Sequence, residues 1–346
     1  MKSRIGLALI GLGYWGANYF RVLRQFKEVN LKYSCDKEIS KLMNYAELTD
    51  TNSVNFTDDL TKIAEDKEVE AVIIATPASS HYEIAKMMLE AGKHVLVEKP
   101  LTMDYEQALE LCRLSEKMSK ILMVGHIYCF NPAVNYIRGV IRSGRLGDLY
   151  YGVGLRLGLG PIRNDASCTW DLATHDIAML IYLLDEMPHY VSAQGLSFLQ
   201  KEKGIHDYAN IQLKYDNGFQ FNLTVSWYAA EKIRTWYLMG SKSMVKFDDM
   251  NKNAPVTIYN KSIIAVPADR DTMHHVDKII PIEGDIIIPY IQQSEPLLLE
   301  CKHFIESIKT GKKPLTDGVQ GAKVIKVLEV IEKSINSDDL PIEVRI

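Results

Sequence analysis

The sequence lacks any unbroken apolar run long enough to cross a bilayer, which takes about 20 residues as a helix. It has no long block of basic residues, and its formal net charge is −4, which excludes the electrostatic footprint of a nucleic-acid binder. Cysteine is scarce: five in 346 residues, at 35, 112, 129, 168 and 301, with no C-x-x-C spacing. An odd number without a framework points away from disulfides, so we expect a reduced, cytoplasmic protein. There is no H-x-x-x-H pair and no Cys cluster, so no complete set of metal ligands is in view and none is expected. His274, His275, His303 and His94 have no partner at useful spacing and read as surface or structural. Residues 1–4 run directly into strand-patterned sequence, without the apolar core of a secretory signal. Internal repeats and low-complexity linkers are also missing. We therefore expect neither a membrane nor a nucleic acid as partner.

What remains is ordinary globular composition, 47% apolar and 24% charged, at a length that suits two domains. Residues 5–10 (IGLALI) read as a buried strand, and Gly11, Gly13 and Gly16 complete G-x-G-x-x-G where a helix begins. Gly11 permits a tight turn, Gly13 lets backbone approach a pyrophosphate, and Gly16 allows close packing of helix and strand. The helix N-terminus offers free N–H groups to that pyrophosphate. Tyr14 and Trp15 sit inside the motif. A second apolar run, 29–35, ends at Asp36. A carboxylate there accepts hydrogen bonds from the adenosine ribose and repels a 2′-phosphate, which favours NAD over NADP. Lys37, next to it, softens the preference. A merely structural glycine turn and a capping Asp36 are the alternatives.

Strand and helix patterns alternate as far as residue 124. Helices are expected over 57–66, capped by Thr57 or Asp58, over 81–91 with Gly92 as stop, and over 105–119. Strands are expected near 54–56 and over 71–75, 94–97 and 121–124. This predicts a doubly wound parallel sheet, residues 1–124, with ligands beyond the carboxyl ends of its strands. Thr76, Pro77, Glu98, Lys99 and His126 follow those ends. From 125 to 346 the pattern changes. Residues 207–215 and 219–227 alternate apolar and polar about the turn Asp216-Asn217-Gly218, an antiparallel hairpin with one apolar face. Further strand-like runs at 150–157, 190–196, 236–239, 244–247 and 256–259 and amphipathic helices at 295–309 and 321–334 complete an α+β domain with a mainly antiparallel, open-faced sheet. Its polar face, rich in Asn, Gln and Thr, is either solvated or covered by another subunit. We expect the latter, in a homodimer or homotetramer.

Two constellations carry chemistry. In Glu98-Lys99-Pro100 the proline restricts Lys99 to extended backbone, so a lysine at a strand end is directed toward the crevice, where it can hydrogen-bond a substrate hydroxyl. The plain alternative is a surface lysine in a turn. In Trp170-Asp171-Leu172-Ala173-Thr174-His175-Asp176, Asp171 and His175 stand at i and i+4 of an expected helix and share a face. An imidazole oriented by a carboxylate is an acid–base group near neutral pH. Metal ligation and a structural cap-and-pair remain open. Arg163 and Asn164, in the loop before it, suit a carboxylate or diphosphate, and Arg156 is an alternative.

With these residues in place the chain resembles the glucose–fructose oxidoreductase/inositol dehydrogenase family. The matching elements are GLGYWG (11–16), Asp36, ATP (75–77) with His81 downstream, EKP (98–100) and the D-x-x-x-H of 171–175, with GSK, EP, ECKHF and P-x-T-D-G later in the chain. The resemblance implies an NAD-dependent oxidoreductase acting on a carbinol or ketone of a sugar or cyclitol. It implies Lys99, Asp171 and His175 around the reacting carbon and a cis Lys99–Pro100 bond. It places Gly11, Gly13, Tyr14, Trp15, Gly16, Asp36, Thr76, Pro77, His81, Glu98 and Lys99 on the cofactor. The stretches GHIYCFNPAV (125–134) and LGPIRND (159–165) look closest to nucleotide-sugar members, several of which oxidise the 3-hydroxyl of UDP-N-acetylglucosaminuronic acid. His126, Tyr128, Asn131, Arg156, Arg163 and Asn164 then join the trio as substrate-binding candidates. Thr174 departs from the proline common at that position. A free-sugar or inositol dehydrogenase, and a non-catalytic NAD(P)-binding regulator, stay open as alternatives; keeping Lys99, Asp171 and His175 together argues against the regulator.

Overall fold

The computed structural model describes residues 4–48, 54–266 and 278–345; His274 and His275 lie outside these. The chain forms two compact units, Met1–Asn131 with Ser294–Lys326, and Pro132–Gln293 with Val327–Ile346. The division thus falls seven residues beyond the expected 124/125 boundary, and a C-terminal segment returns to the first unit.

The first unit holds β1 (Ile5–Ile10), α1 (Tyr14–Leu23), β2 (Val29–Cys35), α2 (Ile39–Leu48), β3 (Asn55–Thr57), α3 (Leu60–Glu65), β4 (Ala71–Ile74), α4 (His81–Glu90), β5 (His94–Glu98), α5 (Tyr105–Lys117) and β6 (Leu122–Gly125). The six strands are parallel, in the order β3-β2-β1-β4-β5-β6. Every residue of β1 and β4 is buried, which is why both read as unbroken apolar runs. Strand order reverses direction between β1 and β4, and ligands bind beyond the strand ends at such a point. One expected boundary is corrected. Thr57 ends β3, and the cap of α3 is Asp59, whose carboxylate accepts the Thr61 N–H at 2.9 Å.

The helix Pro296–Thr310 packs on α1 and on the turn Ile127–Phe130, and buries Leu297, Cys301, Phe304 and Ile305. Thr316 then clasps β6: its carbonyl accepts the Val124 N–H and its hydroxyl donates to the Val124 carbonyl, both at 2.7 Å. Amphipathic periodicity shows that a helix has a buried face but not which core receives it, hence the shifted division.

The second unit holds α6 (Pro132–Arg142), β7 (Leu149–Leu157), α7 (Thr174–Leu184), β8 (Tyr190–Leu196), β9 (Tyr208–Lys214), β10 (Gln220–Ser226), β11 (Ile233–Gly240), β12 (Met244–Asp248), β13 (Val256–Tyr259), β14 (Ser262–Val266), β15 (Lys278–Ile282), β16 (Ile286–Ile287) and β17 (Ile342–Glu343). Nine strands form one sheet, β16-β13-β12-β11-β7-β10-β9-β8-β17, antiparallel except for β7 with β10. The expected hairpin is β9–β10, with Leu213 opposite Phe221 and Ile211 opposite Leu223 on its buried face. On the outward face the Thr224 hydroxyl donates to Asn210 at 2.7 Å and the Gln212 amide to Asn222 at 3.3 Å, so these side chains bond one another across the strands. Alternate glycines in β7 are explained by the Phe221 ring lying across them: a Cβ on Gly152 or Gly154 would come within 2.4 or 2.9 Å of it.

Candidate active site

In the first unit the glycine motif does what its spacing promises. Gly11 has φ +94°, and a Cβ there would stand 2.6 Å from the Ala75 carbonyl oxygen, so only glycine fits. A Cβ on Gly16 would stand 2.0 Å from the Gly11 carbonyl oxygen, whereas one on Gly13 would meet nothing within 4 Å. The loop is therefore packed tightly on one side and open on the other, at the start of α1.

Asp36 closes the loop from the end of β2. Its Oδ2 accepts the Leu12 N–H at 2.7 Å and its Oδ1 accepts the Glu38 N–H at 2.9 Å. Asp36 and Glu38 lie on the wall of a crevice of about 410 Å³, with Gly11, Gly13, Tyr14, Trp15, Thr76 and Pro77. Lys37, Lys41, Asp58, Ser79 and Ser80 complete that wall. The last four carry no motif; Asp58, Ser79 and Ser80 follow the ends of β3 and β4, and Lys41 lies in the first turn of α2. Tyr14 is 82% exposed, edge-on to Trp15.

His81 and Glu98, expected on the cofactor, are both buried and bonded to neighbouring residues. The His81 ring is buried, with Nδ1 2.7 Å from the Pro100 carbonyl oxygen and Nε2 2.9 Å from that of Thr76. It ties the chain beyond the ends of β4 and β5 together. Glu98 is also buried; its Oε1 accepts the Tyr19 hydroxyl at 2.9 Å and its Oε2 accepts the Lys99 N–H at 3.0 Å. Burial pushes its carboxyl up to about 7, against the opposing pull of Lys99 and the Tyr19 bond. The Lys99–Pro100 bond is cis, as the resemblance implies.

His126 follows β6, next to Lys99 in register, since Glu98 pairs with Gly125. It is 2% exposed, and neither ring nitrogen has a hydrogen-bond partner among the described residues. Burial, with the nearby Lys99 charge, lowers its pKa to about 3, so the ring is neutral. Tyr128, also buried, belongs to the turn that follows, and Asn131 closes that turn by donating its N–H to the Tyr128 carbonyl at 3.0 Å.

In the second unit the D-x-x-x-H segment is not a regular α-helix. Thr169–Ala173 forms one wide π-type turn, and α7 starts at Thr174. Such turns often mark functional sites. Asp171 therefore leads into α7 from the wide turn. Its Oδ2 accepts the Trp227 indole N–H at 3.0 Å and its Oδ1 is 3.5 Å from Arg163 Nη1. Trp227 is a residue that sequence reasoning missed as a site component; it was legible only as an apolar position at the hairpin's end. His175 is half-buried in the first turn of α7. Thr174 turns its hydroxyl onto the Trp170 carbonyl at 2.5 Å.

Arg163 forks onto Asp165, with bonds of 2.9 and 2.7 Å that hold the Asp165 carboxyl below its ordinary range. Asn164 accepts Lys203 Nζ at 3.1 Å. Both stand at a surface that a substrate can reach. Arg156 does not. It is buried, and its guanidinium is bonded through Nε and Nη2 to Asp176, which also accepts the Trp236 indole N–H at 2.8 Å. This buried group anchors α7 to the sheet. All five cysteines are free and buried, and no helix among the described residues is long and apolar enough to cross a membrane.

Comparison with known proteins matches residues 5–126 to a model described as an oxidoreductase family with an NAD-binding Rossmann fold, and residues 134–246 to the GFO/IDH/MocA C-terminal domain. Among curated proteins, UDP-N-acetylglucosamine 3-dehydrogenase of Acidithiobacillus ferrooxidans is 27% identical over 258 residues, 75% of this chain and 76% of that one. Its crystal structure superposes with a TM-score of 0.79 over 96% of this chain and 98% of that one, at 23% identity. The WlbA dehydrogenase of Bordetella pertussis, solved with NADH and UDP-GlcNAcA, gives 0.82 over 100% and 99%, at 17% identity. At these identities the structural likeness establishes the fold.

Proposed function

The chain belongs to the GFO/IDH/MocA oxidoreductase family, as an NAD(P)-dependent dehydrogenase of CH–OH groups, and on that premise we propose that it oxidises or reduces the 3-position of a nucleotide sugar, of the UDP-N-acetylhexosaminuronate type, with NAD. The observation that carries the cofactor reading is Asp36, held by Leu12 and Glu38 on the wall of the glycine crevice. The open side of Gly13 and the N-terminus of α1 suit a pyrophosphate, so the residues present fit a dinucleotide. For the substrate, the similarity to a UDP-N-acetylglucosamine 3-dehydrogenase supports a nucleotide sugar over a cyclitol.

When bound, nicotinamide supplies the two-electron acceptor or donor. The chain's own residues supply the rest. His175 takes the proton of the reacting hydroxyl. Lys99 donates a hydrogen bond from Nζ to the same oxygen and stabilises the charge that develops there. Asp171, fixed by Trp227 and Arg163, orients the acid–base group. The neutral, unpartnered ring of His126, with Tyr128 and Asn131, offers hydrogen bonds to the sugar, and Arg163 and Asn164 offer theirs to its charged groups.

A panel of UDP-sugars and cyclitols, each assayed for NADH formation, tests the proposal. Turnover confined to UDP-N-acetylhexosamines or their uronates is the expected result. Turnover of inositols alone would overturn the substrate reading, and none with any CH–OH substrate would overturn the enzymatic one.

A further inference from the structure

Beneath Lys99 lies a buried acid cluster that the reaction does not use. The Tyr19 hydroxyl is 2.9 Å from Glu98 Oε1 and 2.8 Å from Glu300 Oε1. Tyr19 and Glu300 are 0% exposed and Glu98 is 6% exposed. A phenol has one hydrogen and an ionised carboxylate has none to give. Both short contacts are therefore satisfied only if one of the two glutamates keeps its proton. The choice between them follows from their other oxygens. Glu98 Oε2 accepts the Lys99 N–H, and the Lys99 charge favours its ionised form. Glu300 Oε2 has no hydrogen-bond partner among the described residues. The proton belongs on Glu300, which donates to the Tyr19 oxygen while Tyr19 donates to Glu98.

The elements around the cluster bring few other ionisable groups. α1 contributes Tyr19, Lys99 follows the end of β5, and the helix Pro296–Thr310 contributes Cys301, with Glu295 at its start. The Cys301 thiol is pushed well up by burial and by the two carboxyls, so it adds no charge. From β6 comes only Gly125, where a Cβ would stand 3.2 Å from the Tyr19 oxygen and 3.3 Å from the Glu98 backbone. The returning segment thus delivers Glu300 to the first helix, beside the ends of two strands.

We propose that Glu300 is a positioning residue, which as a neutral acid holds Tyr19, and through Tyr19 and Glu98 fixes the backbone of Lys99. This rests on Lys99 acting in the reaction, as argued above, but the proton itself can be read without substrate. In an infrared difference spectrum of Glu300→Gln against the wild type at neutral pH, a carbonyl band of a buried protonated carboxylic acid should be lost. Glutamine keeps an N–H donor for the Tyr19 oxygen, whereas leucine of similar size keeps none. With UDP-N-acetylglucosaminuronate and NAD, Glu300→Leu should lower kcat about tenfold or more, the scale of a buried hydrogen bond to a charged chain, with the KM for NAD unmoved. Glu300→Gln should restore kcat to within about threefold of wild type. The absence of a protonated-acid band in the wild type would overturn the proposal, even if the leucine variant failed to fold. So would equal turnover by the two variants. A wild type inactive on this substrate, with the band present, would instead count against the substrate reading.

Discussion

Asp36 grips the glycine loop itself: its Oδ2 lies 2.7 Å from the Leu12 backbone nitrogen. A side chain 24 residues away thus sets the loop that receives the dinucleotide. The same carboxylate occupies the crevice wall, where a second negative charge would be repelled.

Replacing Asp36 by serine or alanine should therefore do two things. It should narrow the preference for NADH over NADPH, because the repelling charge is gone. It should also weaken NADH binding, because the Leu12 and Glu38 N–H groups lose their acceptor. Calorimetry with both cofactors checks this. Tighter wild-type binding of NADPH than NADH would refute the assignment of NAD.

The outward face of β9 and β10 carries a ladder of amides and hydroxyls that bond one another, with Tyr150, Tyr190 and Tyr237 each at least 39% exposed elsewhere on the sheet. Aromatic rings and uncharged amides on an open sheet are the chemistry of a subunit contact more than of a solvated surface. A homodimer or homotetramer is the expected state. Light scattering that returned a mass of about 39.3 kDa at micromolar concentration would contradict it.

His126 supplies a pH test. Burial and the Lys99 charge lower its pKa from 6.5 to about 3 in the folded chain. Between these values the unfolded chain binds the extra proton, so this group's contribution is whole above pH 6.5 and is lost as pH falls toward 3. For one proton the slope is about 1.4 kcal/mol per pH unit. His94, lowered to about 4 by burial and then by Lys120, acts in the same sense. The buried Glu98–Glu300 pair, raised by burial, acts in the opposite one, losing stability as pH rises. Urea unfolding of the wild type and His126→Gln across the acid range separates them. The wild type should lose stability faster than the variant below pH 6.5; parallel curves would mean that His126 is not held neutral.

Much of this was legible in the chain because burial leaves a pattern. β1 and β4, covered on both faces, read as apolar runs; β9 and β10, covered on one, read as alternation. Glycines 11 and 16 were legible because no Cβ fits there. Partnerships between distant polar residues were not. Arg156 was an alternative for a carboxylate or diphosphate, and nothing local marks Asp176 as its partner, since the two are 20 residues apart. Glu98 looked like a cofactor ligand by its place at a strand end, yet its direction is set by Tyr19 and Glu300, 79 residues before and 202 residues after it. The wide turn at Thr169–Ala173 breaks helical spacing without glycine or proline to announce it.

The catalytic assignment makes the sharpest prediction. Neither Lys99 nor His175 lies on the wall of the nucleotide crevice, so Lys99→Ala and His175→Ala should leave NAD binding nearly intact. Turnover should fall by at least the roughly 10²–10⁴-fold that general acid–base groups contribute. Asp171→Asn should cost less than either. The amide keeps an oxygen for the Trp227 N–H, while the charge facing Arg163 is lost. A further difference separates the two alanine variants. The ionisation of His175 should shape the wild-type pH–rate profile and vanish in His175→Ala, whereas Lys99→Ala should keep it, since His175 is still there to titrate. Calorimetry for NAD, steady-state rates on the substrate found by the panel, and the three pH profiles decide the matter. Wild-type turnover in one alanine variant would remove that residue from the mechanism. Wild-type turnover in both would place the chemistry on other side chains of the two units.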